Sequence, residues 1–189
     1  IAAMHQHKAW AQEVGATRGY AFATSAMRST HNGADVAARI ERETGIPVNI
    51  IDGDQEARFI AAGVAQAWPE RDEVRLIMDI GGGSTEFILL DGTEVLYAES
   101  FALGVTRLVE RFQPSDPMTT EDARRINAHM NEVLAPLWKW LNHVPCRCLI
   151  GSSGSFDTLF NVVAGAHGRP ALDLGAFRAT FDLTELPEQ

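Results

Sequence analysis

Short apolar runs broken by glycine alternate along this chain with longer stretches whose apolar residues return every three or four positions. The first pattern predicts strands and the second predicts helices that pack on one face. Ala2–Val14 runs without Gly or Pro until Gly15 and reads as a helix, and Tyr20–Thr24 follows as a short strand. Asn32 is placed to cap the next helix, with Asp35 in its first turn and Gly45 as its stop. Pro47–Ile51 predicts a second strand. Gly53–Trp68 predicts a helix on which Glu56, Ile60 and Val64 share one face.

Pro69–Glu73 is polar and contains a proline, which makes it the expected boundary between two parts of the chain. Three strands in hairpin order are expected beyond it, at Val74–Ile80, Thr85–Leu90 and Glu94–Phe101, with Asp91-Gly92 as the second turn. Gly104 breaks the chain before a short helix, Val105–Phe112. Thr119 caps a long helix with Glu121 and Asp122 in its first turn. Apolar residues at Ala123, Ile126, Met130, Val133, Leu137 and Leu141 give that helix a packing face, and Pro136 should kink or divide it. Cys146–Ile150 predicts a further strand, leading through Gly151–Ser155 into a helix that ends near Ala164. A last, weakly patterned strand is expected at Phe177–Leu183. Strands and helices alternate throughout, so the fold class is α/β.

Composition narrows the picture. With 189 residues the chain makes one large domain or two small ones, and its 46% hydrophobic fraction suffices for a core. The net charge of −9, with no run of Lys or Arg, argues against a nucleic-acid duplex as partner. No apolar stretch reaches the length of a membrane span and no signal-peptide pattern opens the chain, which argues against a membrane partner. The only cysteines, Cys146 and Cys148, stand two apart on one expected strand without metal-ligand spacing. They read as buried thiols of a reducing, cytoplasmic protein. The chain opens on Ile1 inside an expected helix and reads as a fragment.

The candidate chemistry centres on Val74–Leu90, VRLIMDIGGGSTEFILL. Gly81, Gly82 and Gly83 let successive backbone N–H groups point into one concavity, a nest suited to an anion such as phosphate. Asp79 and Glu86 set two carboxylates beside it, which would repel a phosphate unless a hard cation such as Mg²⁺ lay between. A plain hairpin with two solvated turn acids satisfies the same letters. Gly151, Ser152, Ser153, Gly154 and Ser155 repeat the theme as a strand, glycine turn and helix start. A flexible turn with a serine cap reads equally well there, and no Lys follows to make a Walker A loop. Ala23–Arg28, ATSAMR, places hydroxyls and Arg28 after a strand, either as a phosphate contact or as a surface arginine. Glu56 serves the positive end of its helix or stands at a cleft edge, partly desolvated.

Taken together, ATSAMR, GDQEAR (Gly53–Arg58), DIGGGSTE (Asp79–Glu86) and GSSGS (Gly151–Ser155) resemble, in order and spacing, the exopolyphosphatase and guanosine pentaphosphate phosphohydrolase family. That family belongs to the superfamily of actin, the seventy-kilodalton heat-shock proteins and sugar kinases. The resemblance implies two ribonuclease-H-like, actin-like α/β domains with mixed sheets flanked by helices and a site in the cleft between them. Residues 1–69 would be the later part of the first domain and 70–189 most of the second. It implies Glu56 as the catalytic base, Asp79 and Glu86 as metal carboxylates for Mg²⁺ or another divalent cation, and Arg28, Gly81, Gly82, Gly83 and Ser84 as phosphate contacts. Gly151–Ser155 would form the second-domain phosphate or nucleotide loop, facing the first bend across a gap into which Glu56 is aimed.

The implied reaction is hydrolysis of terminal phosphoanhydride bonds of inorganic polyphosphate or pppGpp by metal-assisted attack of water. Such a reaction asks the protein for an oriented water and for neutralised charge. Two alternatives stay open: an ATP-dependent kinase or ATPase of the same superfamily, and a non-catalytic nucleotide-binding module. The family's earlier phosphate loop, of Asp-Ile-Gly-Ser-Asn type, is missing from this sequence, so the chain by itself is expected to hydrolyse weakly or not at all. A homodimer is a possible state of full-length relatives.

Overall fold

The computed structural model describes residues 1–68, 73–144 and 146–166. The chain divides into two compact units, Ile1–Glu56 and Ala57–Gln189. The expected linker lies almost wholly outside the described residues, as does the expected strand at Phe177–Leu183. The break between units comes earlier than Pro69 because Ala57 and Ala61, deeply buried, pack on the sheet of the second unit.

In the first unit, helix α1 (Ala2–Glu13) precedes strand β1 (Ala21–Ala23), α2 (Ser25–Ser29), α3 (Gly33–Thr44) and β2 (Val48–Ile50). The two strands pair in parallel, with Phe22 opposite Asn49, so α2 and α3 form the crossover between them. Gly45 ends α3 in the left-handed region, at φ 72°, and donates its N–H to Glu41 O at 2.7 Å. Asn32 does not cap α3 with its side chain, contrary to the expectation. A Cβ on Gly33 would fall 1.9 Å from Met27 O, so the close approach of α2 fixes the start of α3 instead.

Helix α4 (Gly53–Ala67) begins in the first unit and continues into the second. There β3 (Val74–Ile80), β4 (Thr85–Asp91), β5 (Glu94–Phe101) and β6 (Cys148–Ser152) form one sheet in the order β5-β4-β3-β6. The three hairpin strands are antiparallel, and β6 lies parallel to β3, which makes the sheet mixed. Side chains alternate between faces along each strand. Ile77, Ile88 and Leu90, with Ala98 and Ile150, meet Ala57, Ile60, Ala61 and Val64 of α4. The opposite face carries Phe87, Phe101, Leu76, Met78 and Tyr97, which meet Leu108, Met130, Leu134 and Leu137. Those four come from α5 (Val105–Phe112), α6 (Thr120–Val133), α7 (Ala135–Leu141) and the α6–α7 junction. Helix α8 (Gly154–Ala166) follows β6. Covered on both sides, β4 is buried from Thr85 to Leu90.

Local signals account for most of these boundaries. Thr119 and Asp122 form a reciprocal capping box, and the Asp122 carboxylate also accepts from Ser115 N. These bonds hold the Asp122 carboxyl down at about 2, with the Thr119 hydroxyl the largest cause. Pro136 divides the long helix, since α7 opens with it in the first turn. Both cysteines are free, as expected, but they are half-exposed instead of buried, and Cys146 precedes the strand instead of joining it. Among the described residues β6 pairs with β3 alone.

Candidate functional site

The antiparallel register sets Asp79 directly opposite Glu86. Facing residues on paired strands project to the same side, so the two carboxylates stand beside each other. The register extends the row in both directions, to Ser152 on β6 and to Ser100 on β5. Ser100 Oγ donates to Glu86 Oε1 at 2.6 Å. Glu86 is only 2% exposed, so its charge depends on neighbours and not on bulk water. This polar row continues the apolar face covered by α4, one step beyond Ile77 and Ile88. Like charges placed opposite each other destabilise a ladder, which gives the pair a physical use for a cation.

The bend between β3 and β4 is held by α5. Val105 N donates to Gly81 O at 3.0 Å, Arg107 N to Gly82 O at 3.2 Å, and Arg107 Nε to Gly83 O at 2.7 Å. A trans peptide turns its N–H opposite to its own carbonyl. With three successive carbonyls bound by α5, the N–H groups of Gly82, Gly83 and Ser84 turn to the other side. Among the described residues none of these three N–H groups donates a hydrogen bond to the backbone. A Cβ on Gly104, the residue before α5, would lie 2.4 Å from Gly82 C, Gly82 O and Gly83 C. Glycine at 104 is therefore a condition for this clamp.

The second bend adjoins the first. Ser153 Oγ and Ser155 Oγ donate to Ile80 O at 2.9 and 3.1 Å, tying the start of α8 to the end of β3. The two bends thus do not face each other across a gap; β3 and β6 are parallel neighbours and deliver them side by side. Gly151 and Ser152 lie within β6 and not in the turn. A Cβ on Gly151 would come within 2.0 Å of the Phe156 ring, so this glycine makes room for packing. Ser153 takes the left-handed conformation, φ 72°, and Gly154 begins α8.

In the first unit, Arg28 and Glu56 meet. Arg28 Nη1 lies 3.0 Å from Glu56 Oε2 and 2.9 Å from Ile51 O, and both side chains are largely shielded. Arg28 lies in the last turn of α2, one turn after Thr24 and Ser25, and the guanidinium fixes where the Glu56 carboxylate sits. Asp52 starts α4: its Oδ1 accepts from Gln55 N at 2.7 Å, and its carbonyl accepts from Glu56 N. Glu56 is thereby held in the first turn.

Asp79 and Glu86 suit Mg²⁺, which takes one or two carboxylates and completes its shell with water and substrate oxygens. Among the described residues no group of three or more His, Cys, Asp or Glu converges. Sequence reasoning missed Ser100, Arg107 and Asp52. Asp52 was findable as an Asp ahead of a helix, whereas Ser100 and Arg107 reach their partners only through the register and the approach of α5.

The Ppx/GppA phosphatase family matches residues 1–182. An exopolyphosphatase from Cytophaga hutchinsonii shares 40% identity over 88% of this chain and 53% of its own, with a TM-score of 0.84. A Ppx/GppA family member from Aquifex aeolicus shares 27% identity over 90% of this chain and 53% of its own, with a TM-score of 0.69. The chain spans about half the length of these relatives. Among the described residues no helix is long and apolar enough to cross a membrane.

Proposed function

This chain belongs to the Ppx/GppA phosphatase family, with the ribonuclease-H-like, actin-like α/β class expected of it, and from that premise we propose that it is part of a cytoplasmic phosphoanhydride hydrolase. The proposed substrates are inorganic polyphosphate and pppGpp, and the bond cleaved is the terminal phosphoanhydride. We keep residues 1–69 and 70–189 as portions of two actin-like domains in the whole protein, which would act as a homodimer.

The observation that carries this reading is the bend at Gly81–Ser84. Its carbonyls are bound by α5, and its N–H groups are turned together to the other side, beside two carboxylates. Backbone donors so fixed stabilise charge on phosphate oxygens without reorganising. Asp79 and Glu86 would hold Mg²⁺, which when bound supplies electrophilic stabilisation of those oxygens. Glu56, oriented by Arg28, would take a proton from the attacking water. Arg28 is also the proposed phosphate contact of that region, and Ser152, Ser153, Gly154 and Ser155 would line the adjoining loop.

The test is phosphate release from polyphosphate and from pppGpp by the full-length protein and its Glu56→Ala variant. Hydrolysis should fall by about 10² to 10⁴ while pyrophosphate binding survives. Unchanged turnover in the variant would remove Glu56 from the chemistry, and no release from either substrate by the wild type would overturn the assignment.

A further inference from the structure

We infer that Arg107 is a positioning residue for the phosphate cradle, acting through its Nε–H on the Gly83 carbonyl and not through its charge on the substrate. The inference deepens the proposed function and rests on reading the Gly81–Ser84 bend as an anion cradle. Three facts carry it. Arg107 Nε donates to Gly83 O at 2.7 Å, from a half-buried side chain. The backbone of the same residue donates to Gly82 O, so Arg107 grips two consecutive peptides. The peptide whose carbonyl it binds through Nε carries the Ser84 N–H, and Ser84 is 5% exposed in the cradle wall.

The geometry makes the bond directional. The Gly83–Ser84 peptide turns about ψ of Gly83 and φ of Ser84, and glycine leaves the first of these little restricted. A rotation of that peptide away from the Arg107 side chain would mis-aim its N–H. Val105 N and Arg107 N fix the two preceding peptides from helix α5, but the third lies beyond the reach of a helix backbone donor and is held by the side chain. Losing that hold mis-aims one donor at an anion site, a change to which a reaction built on positioning is sensitive.

Side-chain chemistry separates this role from its rivals. In Arg107→Gln, the amide nitrogen sits the same number of bonds from Cα as Nε, so a donor remains while the charge is lost. In Arg107→Lys, the charge remains but a methylene occupies the Nε position. The full-length protein would be assayed for polyphosphate hydrolysis, for the KM and kcat split, and for the rise in Tm on adding pyrophosphate. The expected result is that Arg107→Lys lowers kcat/KM by about 10-fold to 100-fold and loses most of the pyrophosphate-induced rise. Arg107→Gln should lose less kcat/KM than Arg107→Lys and keep most of the pyrophosphate-induced rise.

The reverse order, with Lys near wild type and Gln impaired, would mean that the charge acts on substrate and would overturn the inference. So would equal loss in both, or two variants that differ from wild type only in Tm without ligand. If the wild type hydrolyses neither substrate, the hydrolase assignment fails, and the pyrophosphate arm still decides whether Arg107 shapes an anion site. A wild type that neither hydrolyses nor binds pyrophosphate sinks both.

Discussion

The bend at Gly81–Gly83 turns the chain back between two antiparallel strands, whereas Gly151–Ser155 carries it from a strand parallel to β3 into a helix. The first is stabilised by a helix whose backbone and one arginine bind its carbonyls, and by Gly81 N donating across the bend to Ser84 O. The second is tied to the end of β3 by two serine hydroxyls on the Ile80 carbonyl, and it holds one serine in a left-handed conformation. Similar letters therefore do different work. Against the first bend Gly104 permits backbone to touch backbone; in the second, Gly151 permits backbone to touch an aromatic ring. A backbone neighbour cannot move aside, and a ring can.

That difference ranks the substitutions. Gly104→Ala forces a methyl against the backbone of Gly82 and Gly83, and the clamp must open. Its cost should reach about 3 kcal/mol or more, the upper range for overpacking, read as a lower urea midpoint together with a loss of pyrophosphate-induced stabilisation. A stability within error of wild type would show that the close approach is unnecessary.

Gly151→Ala meets only the Phe156 ring, so a loss of about 1–3 kcal/mol is expected. Combining it with Phe156→Leu should cost less than the sum of the two single losses, because the partners are in contact. Additive losses in denaturant melts would break the assigned cause.

Smaller still is Ser153. A non-glycine residue in the left-handed region is held there at a cost of about 1 kcal/mol, and its hydroxyl bond returns about the same. Ser153→Gly should then leave the thermal midpoint nearly unchanged, while Ser153→Ala lowers stability by about 1 kcal/mol through loss of the bond alone. Equal behaviour of the two variants would refute the strain.

A control lies away from both bends. The Asp122 carboxyl is held at about 2, below the ordinary 3.8. A group depressed on folding stabilises the protein above its unfolded value, and that contribution is lost as pH falls toward the folded one. The urea midpoint should therefore drop between about pH 4 and pH 2, with an acid limb that flattens in Asp122→Asn. At neutral pH the wild type shows none of this.

How much of this was legible in the sequence differs between elements and site. The strands at Val74–Ile80 and Glu94–Phe101 and the helix at Val105–Phe112 end where the sequence pattern predicts, because alternation and glycine breaks act locally. The Thr119 cap and the division at Pro136 are local for the same reason. Asn32 was misread because a capping residue competes with tertiary contact, and the approach of Met27 to Gly33 prevailed. The strand–turn border at Gly151 was misplaced because its glycine answers to a ring and not to a turn. Of the site residues, the Asp79 and Glu86 pair was visible as two acids flanking a bend.

The sequence by itself determined the order of elements, both glycine-rich bends and the residues that carry charge near them, since each follows from chemistry within a few positions. Only the tertiary structure decided that Ser100 and Ser152 join the acidic pair in one row, that Arg28 holds Glu56, and that α5 grips the triple-glycine bend. Such contacts depend on strand register and on how closely two backbones can pass. A sequence records those only as a glycine or an arginine whose partner lies far along the chain.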